Sequence, residues 1–219
     1  MSNVSHKLER EVSGLFFTNP VGVPYTIKKR GFSLFRPAPK SGFLTLTPPE
    51  ESVMNWIRGL EKKKMGNCVL AVNVNTDIVR TFSLVYDFAG FIIVDPDSDK
   101  GIDASDISDT QVLIDELVSL RLCYERYTPF FLRLRHGISE EELHYLLGAC
   151  RLAGLDGVAA PARMVSRINA LTEGRLTVIA SANSQEEALR AFREGASLLE
   201  LNDIGPIGVK KLLKKLETQ

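Results

Sequence analysis

Apolar residues in this chain alternate between two kinds of spacing. Short runs rich in Val, Ile, Leu, Phe and Thr, edged by Gly, Pro or Asn, occupy Asn19–Tyr25, Phe43–Thr47, Cys68–Val74, Gly90–Asp95, Pro129–Arg135, Gly157–Pro161, Arg175–Ser181 and Ser197–Asp203. Their length and edges predict strands. The stretches between them take helical spacing. Pro48-Pro49-Glu50 opens a helix running to Lys64, with proline suited to the first turn and the carboxylate to the positive end of the dipole. Ser139 with Glu142, and Ser184 with Glu187, have capping-box spacing, and each precedes a helical pattern. Gly205-Pro206 begins a last helix whose Val209, Leu212, Leu213 and Leu216 form one apolar stripe.

Strictly alternating strands and helices imply a parallel sheet with right-handed crossovers. Eight such units predict the α/β class and a (β/α)8 TIM barrel, with an open doubly wound sheet as the alternative. The whole chain, 1–219, reads as a single barrel domain. Residues 1–18 form an N-terminal arm and hairpin, the hairpin lying in Glu11–Pro20 (EVSGLFFTNP). Gly31–Lys40 carries Pro37 and Pro39, so the first crossover is expected to be irregular or to lack a helix.

Composition narrows the class without naming a function. The 219 residues are 44% hydrophobic and 25% charged, and 27 Lys+Arg balance 27 Asp+Glu. That neutrality argues against a protein that coats nucleic acid or a membrane surface. No apolar run reaches the roughly 20 residues a bilayer span requires. The N-terminus lacks the apolar core of a signal peptide, so a cytoplasmic location is expected. Cys68, Cys123 and Cys150 are far apart and read as reduced core residues, with no metal site.

Function in such barrels gathers at the C-terminal ends of the strands, where alternate residues point inward. In the fifth strand Phe131, Arg133 and Arg135 alternate with Leu132 and Leu134; if the leucines face the helices, both arginines face the axis. By the same alternation Glu200 and Asn202, Thr45 and Thr47, Asn73 and Asp95 add a polar upper layer. One reading is a site for a small anionic molecule; the other is an internal Arg133–Glu200 ion pair that fills the barrel. Asp95, Asp97, Asp99 and Asp106 have part of a calcium-loop spacing, but Lys100 stands where that loop needs glycine, and a solvated acidic loop is expected. His136, just past the fifth strand, is a weak acid–base candidate, as are Asp97 and Ser98. The turns after the seventh and eighth strands, Ile179-Ala-Ser-Ala-Asn-Ser184 and Leu201-Asn-Asp-Ile-Gly205, lack the glycines with which barrels usually cradle phosphate.

Taken in order from about Leu15 to Leu216, these segments resemble the dihydroorotate dehydrogenase family of FMN-dependent barrels of pyrimidine biosynthesis. The residues that carry the likeness are Asn19-Pro-Val-Gly22, Thr45-Leu-Thr-Pro48, Ala71-Val-Asn-Val74, Leu155-Asp-Gly157, Glu186-Glu-Ala188, Gly195-Ala-Ser-Leu198 and Gly205-Pro206. The resemblance implies FMN as cofactor, held by Thr45, Asn73, Arg133, Ala180 and Ser181. It implies a substrate held by Lys29, Asn73 and Arg135, and oxidation of dihydroorotate to orotate.

The departures fall on the catalytic parts. Pro96 occupies the family's base position, with Ser98 at a later lid asparagine, and Ile93 replaces an asparagine. Arg133 replaces a flavin-contacting lysine, Ala162 an asparagine, Ala180-Ser181 a pair of glycines and Asn202-Asp203 a Tyr-Thr pair. A dehydrogenase of this kind needs its base to take the substrate proton as hydride leaves for the flavin. Three functions therefore compete: an altered FMN oxidoreductase, a flavin-free anion-binding sensor or regulatory protein, and a lyase or aldolase. The last lacks an inward lysine in the later strands, having only Lys28 and Lys29 near the first. Homo-oligomerisation is left open; nucleic acid and membranes are not expected partners.

Overall fold

The structure, a computed structural model, describes residues 6–26, 40–49, 53–61, 67–99, 101–103 and 106–218. A short antiparallel hairpin, β1 (Arg10–Val12) and β2 (Leu15–Phe17), precedes the barrel. Its two-residue turn, Ser13-Gly14, has positive φ at both positions, 49° and 75°, which matches the twist of a tight hairpin. Eight parallel strands follow: β3 (Val21–Thr26), β4 (Phe43–Thr47), β5 (Val69–Val74), β6 (Phe91–Val94), β7 (Phe130–Arg133), β8 (Gly157–Pro161), β9 (Thr177–Ala182) and β10 (Leu198–Leu201). They pair in sequence order, and β10 closes on β3 through Leu199↔Val21 and Glu200↔Gly22. The molecule is a TIM barrel, not an open sheet.

Helices α1 (Val53–Glu61), α2 (Ile78–Val85), α3 (Ile107–Arg121), α4 (Glu140–Leu152), α5 (Val165–Thr172), α6 (Gln185–Arg193) and α7 (Pro206–Leu216) follow the strands from β4 to β10 in turn. The crossover from β3 to β4, with its two prolines, lies outside the described residues, as does the expected extension of α1 to Lys64. None of the described helices is long and apolar enough to cross a membrane.

Strand alternation divides the core in two. Leu44, Leu46, Val72, Val74, Ile92, Val94, Leu132, Val158, Val178, Leu199 and Leu201 face outward and pack under the helices. Inward-facing Phe43, Ala71, Phe91, Ile93, Phe131, Ala159, Ile179 and Leu198 form a separate cluster on the barrel axis. Phe17 of the hairpin joins it, 1% exposed, with its ring edge-on to Phe43 and Phe91 at 6.1 Å each. The hairpin thus plugs the N-terminal end of the barrel, tethered by Arg10, which donates to the Ser197 carbonyl (3.1 Å) and lies 4.7 Å over the Phe192 ring. Among the described residues, the ring contacts of Phe17, Phe43 and Phe91 on the axis lie at this end. The opposite end is left for polar side chains.

Trp56, 1% exposed, is a packing residue on the buried face of α1, as its sequence context predicts. The cysteines are all free, but only Cys150 is a core residue; burial pushes its thiol up to about 12, so it is inert. Cys123 is exposed instead, because α3 has ended two residues before it.

Candidate functional site

One turn above the aromatic plug, the same alternation places Thr45 (β4), Asn73 (β5), Arg133 (β7), Ser181 (β9) and Glu200 (β10) inside the barrel, with Asp95 immediately after β6. Arg133 is the hub. Its Nη2 donates to Glu200 Oε2 at 3.0 Å, its Nη1 to Ser181 Oγ at 3.2 Å and its Nε to Asn73 Oδ1 at 3.4 Å. Asp95 Oδ2 lies 3.6 Å from Nε, and Ser181 Oγ also donates to Glu200 Oε2 at 3.1 Å. The planar guanidinium suits this role, since it offers several fixed donors at once where an ammonium would offer a point charge.

Two carboxylates share this one guanidinium. The Glu200 side chain is 2% exposed, and burying a carboxylate is tolerable only with partners of this kind. Burial raises the Asp95 carboxyl above its ordinary range; Arg133 and an Asn73 hydrogen bond pull it down, while Asp97 and Glu200 push it further up. Two buried oxygens of the layer, Glu200 Oε1 and Thr45 Oγ1, have no hydrogen-bond partner among the described residues.

Above the layer a cavity of about 260 Å³ opens to solvent, lined by Asp95, Asp97, Ser98, Arg133, Leu134, Arg135, His136, Ala160, Pro161, Ser181 and Asn202. The sequence-predicted residues therefore meet at one place, but not all as expected. Arg135 lines the rim of this cavity: β7 stops at Arg133, Gly137 turns with φ 79°, and Arg135 pairs at 2.5 Å with Glu142. That glutamate already completes the α4 capping box with Ser139, so helix capping draws Arg135 to the rim. His136, Asp97 and Ser98 line the rim as exposed residues, the last two on a 3-10 turn at Pro96–Ser98. Ser181 faces the interior, whereas the Ala180 side chain lies in the outer, helix-facing shell. Lys29 lies outside the described residues. Asn19 sits at the opposite end, its side chain bracketing the start of β3 by accepting from Val21 N (3.0 Å) and donating to the Lys40 carbonyl (2.8 Å).

The acidic loop has structural tasks. Asp99 accepts from Ile78 N (3.0 Å) and Gly101 N (2.9 Å), Asp106 caps α3 through Ser108 N (2.7 Å), and Asp95 turns inward to Arg133. No group of three or more metal-type ligands occurs among the described residues.

A flavin phosphate in such a barrel is held by loops after the seventh and eighth strands and by helix N-terminal N–H groups. Here these are β9, β10 and α6. Ser184 Oγ accepts from Glu187 N at 3.1 Å, and the Glu187 carboxylate reaches back to accept from Asn183 N at 2.8 Å. Asn202 in turn donates to Asn183 Oδ1 at 3.3 Å. A carboxylate of the chain itself thus occupies one backbone donor of this turn, Asn183 N, and the buried Glu200 adds a second negative charge nearby. The 260 Å³ cavity is also smaller than the ~300–1,000 Å³ typical of pockets for drug-sized ligands. The engaged donor, the buried Glu200 and the small cavity count against FMN at this mouth. The Ser-x-x-Glu spacing of Ser184 and Glu187 was the sequence signal for this obstruction; it predicts the cap but not that the cap blocks an anion site.

Among the described residues no lysine lines the mouth. At the other end of the barrel Asp156 accepts from Tyr127 OH (2.7 Å) and Phe130 N (3.1 Å), with Arg121 at 3.8 Å. Burial, together with the Asp156 hydrogen bond and charge, pushes the Tyr127 phenol up to about 12. This network ties α3 to the start of β7 and β8 and is structural.

No protein-family model matches the chain, and no curated protein matches it in sequence. Solved structures do match in fold. The chain is similar to the dihydroorotate dehydrogenase (DHODH) of Eimeria tenella in complex with ferulenol, with TM-score 0.78 and 16% identity, covering 99% of this chain and 85% of that one. The ligand-free form of that protein gives TM-score 0.77 at the same identity. A Coccidioides immitis structure assigned as a deoxyribose-phosphate aldolase gives TM-score 0.65 at 13% identity, covering 90% of this chain and 84% of that one. At these identities the likeness establishes the TIM-barrel fold and leaves the chemistry to the site.

Proposed function

We propose that this protein is a flavin-free barrel built on the dihydroorotate dehydrogenase plan, binding a small polar ligand at its mouth as a sensor or regulatory subunit. The observation that carries this reading is the pairing of both arginines at the mouth, among the described residues, and of one backbone donor at the start of α6 with carboxylates of the chain. Arg133 is held by Glu200 and Asp95, Arg135 by Glu142 and Asn183 N by Glu187. The groups that would act as a base, Asp97, Ser98 and His136, are exposed side chains at the rim.

The competing reading, an FMN oxidoreductase with altered residues, draws support from Thr45 and Asn73, which lie inside the barrel as the resemblance implies, and from the overall match to DHODH. The absorption spectrum of the purified chain, followed by titration with FMN under fluorescence detection, separates the two. The expected result is a colourless protein that leaves FMN fluorescence unquenched. Stoichiometric FMN binding, or reduction of FMN by dihydroorotate on the protein, overturns the proposal.

A further inference from the structure

We propose that the outward face of α4 is a contact between two copies of this chain, packed antiparallel about a two-fold axis with Tyr145 of each seated over Gly148 of the other. The inner face of α4 is spent on the barrel, where Leu143, Leu146, Leu147 and Cys150 are buried. Its outer face repeats the spacing of a helix-packing seam: Glu141, Tyr145, Gly148 and Leu152 follow one another at intervals of four, three and four residues. Tyr145 is 51% exposed and Leu152 85%, and exposed Val112 and Leu122 lie on the neighbouring α3 and at its C-terminal cap. Large apolar side chains gathered on two adjacent helices mark an interaction surface, unlike the single exposed residues scattered over an ordinary exterior.

Gly148 points the same way. It lies mid-helix, and a Cβ built on it meets nothing within 4 Å among the described residues. Neither a left-handed backbone nor packing among them calls for glycine there, although glycine is a poorer helix former than alanine. It lines a groove of about 550 Å³ between α3 and α4, together with Ala149, Ala153, His144 and the hydrogen-bonded pair Gln111 and Asp115. Small apolar residues with polar groups beside them match a tyrosine, whose ring is apolar and whose hydroxyl seeks a partner.

Charge fixes the orientation. α4 opens on Glu140, Glu141 and Glu142 and ends on Arg151. Glu140 pairs with Arg167 and Glu142 with Arg135, whereas Glu141 and Arg151, both exposed, make no ion pair among the described residues. An antiparallel copy lays the basic end of one helix on the acidic end of the other and opposes their dipoles; a parallel copy sets like on like. The register that sets Tyr145 opposite Gly148 also sets Glu141 opposite Leu152, next to Arg151. Such a contact uses the same patch on both copies and therefore closes at two.

The test is sedimentation velocity on the full chain from micromolar to hundreds of micromolar concentration, in low salt and with a thiol reductant because Cys123 is exposed. The mass is expected to rise from that of one chain to that of two across this range. Gly148→Arg fills the groove at a position with open space around it, and is expected to weaken association about tenfold or more while the helical circular dichroism is unchanged. Glu141→Arg and Arg151→Glu are each expected to weaken association, and the two together to restore it, since the charges are then exchanged end for end. A chain that stays monomeric throughout, or a dimer indifferent to Gly148→Arg, overturns the proposal. So does a dimer that the double charge exchange fails to restore, because the antiparallel packing is then wrong. None of the substituted residues lines the mouth, so the outcome is independent of the flavin-free reading.

Discussion

Replacing Arg133 with methionine deletes the guanidinium while keeping much of its apolar stem. At an effective dielectric of about 20, the 3.0 Å contact with Glu200 corresponds to roughly 5.5 kcal/mol of gross attraction and the 3.6 Å contact with Asp95 to roughly 4.6 kcal/mol. Desolvation offsets much of both, so the intact pair adds little net stability. Its removal is another matter, because Glu200 is left charged and buried. Losing one partner of such a pair costs about 3–5 kcal/mol, a large share of the ~5–15 kcal/mol that holds a typical domain together.

Equilibrium unfolding in urea at neutral pH measures this directly. Arg133→Met is expected to lower the free energy of unfolding by that amount, read as a lower midpoint at unchanged slope. Adding Glu200→Gln is expected to recover most of the loss, since an uncharged buried pair has little desolvation to offset. Arg133→Lys is expected to fall between, keeping charge but losing the fork that spans Glu200, Ser181 and Asn73. A loss below about 1 kcal/mol, the scale of a surface ion pair, or a double variant no better than the single one, refutes the account of a buried, mutually dependent cluster.

Three further outcomes follow from other parts of the structure. Because burial raises the Asp95 carboxyl above its ordinary 3.8, folding disfavours its ionised form; the group favours the fold most below that value and loses this contribution as pH rises through the raised value. Asp95→Asn is therefore expected to be more stable than the parent at neutral pH, the advantage fading in acid, and a pH series of unfolding midpoints checks the sign. Phe17→Ala opens the floor of the barrel beneath Phe43 and Phe91 and is expected to cost about 3–5 kcal/mol by the same urea assay, whereas a merely decorative hairpin would lose far less. Gly157→Ala would set its Cβ 2.0 Å from the Thr177 carbonyl oxygen, backbone against backbone, so loss of soluble folded protein on expression is expected.

Much of this architecture is written locally. Strand runs were legible to within a residue or two, Phe43–Thr47 and Gly157–Pro161 at both ends, because alternation and edge glycines or prolines act over a few residues. The caps at Ser139 and Ser184 were legible for the same reason. So was the inward direction of Arg133 and Glu200, since their flanking leucines had to lie under helices.

What local pattern does not carry is competition for a shared partner. Arg135 has the spacing to point inward; β7 ends two residues earlier, and Glu142, already needed by the helix cap, takes its guanidinium at the rim of the cavity. Ala180 and Ser181 were assigned together by resemblance, but adjacent strand residues face opposite sides, and only Ser181 reaches the interior. The aspartates after β6 share a ligand-like spacing and were dispersed by three separate donors.

Sequence by itself thus determined the strands, helices and caps, and the polarity of the mouth, since these depend on neighbours within one turn or one pleat. Tertiary structure alone decided that the sheet closes, that Arg133 is shared by two carboxylates, and that Asn202 of the next strand's end meets Asn183 beside the α6 cap. Each of those depends on which distant groups come within about 3–4 Å, where hydrogen bonds and ion pairs form, and that is a property of the closed barrel.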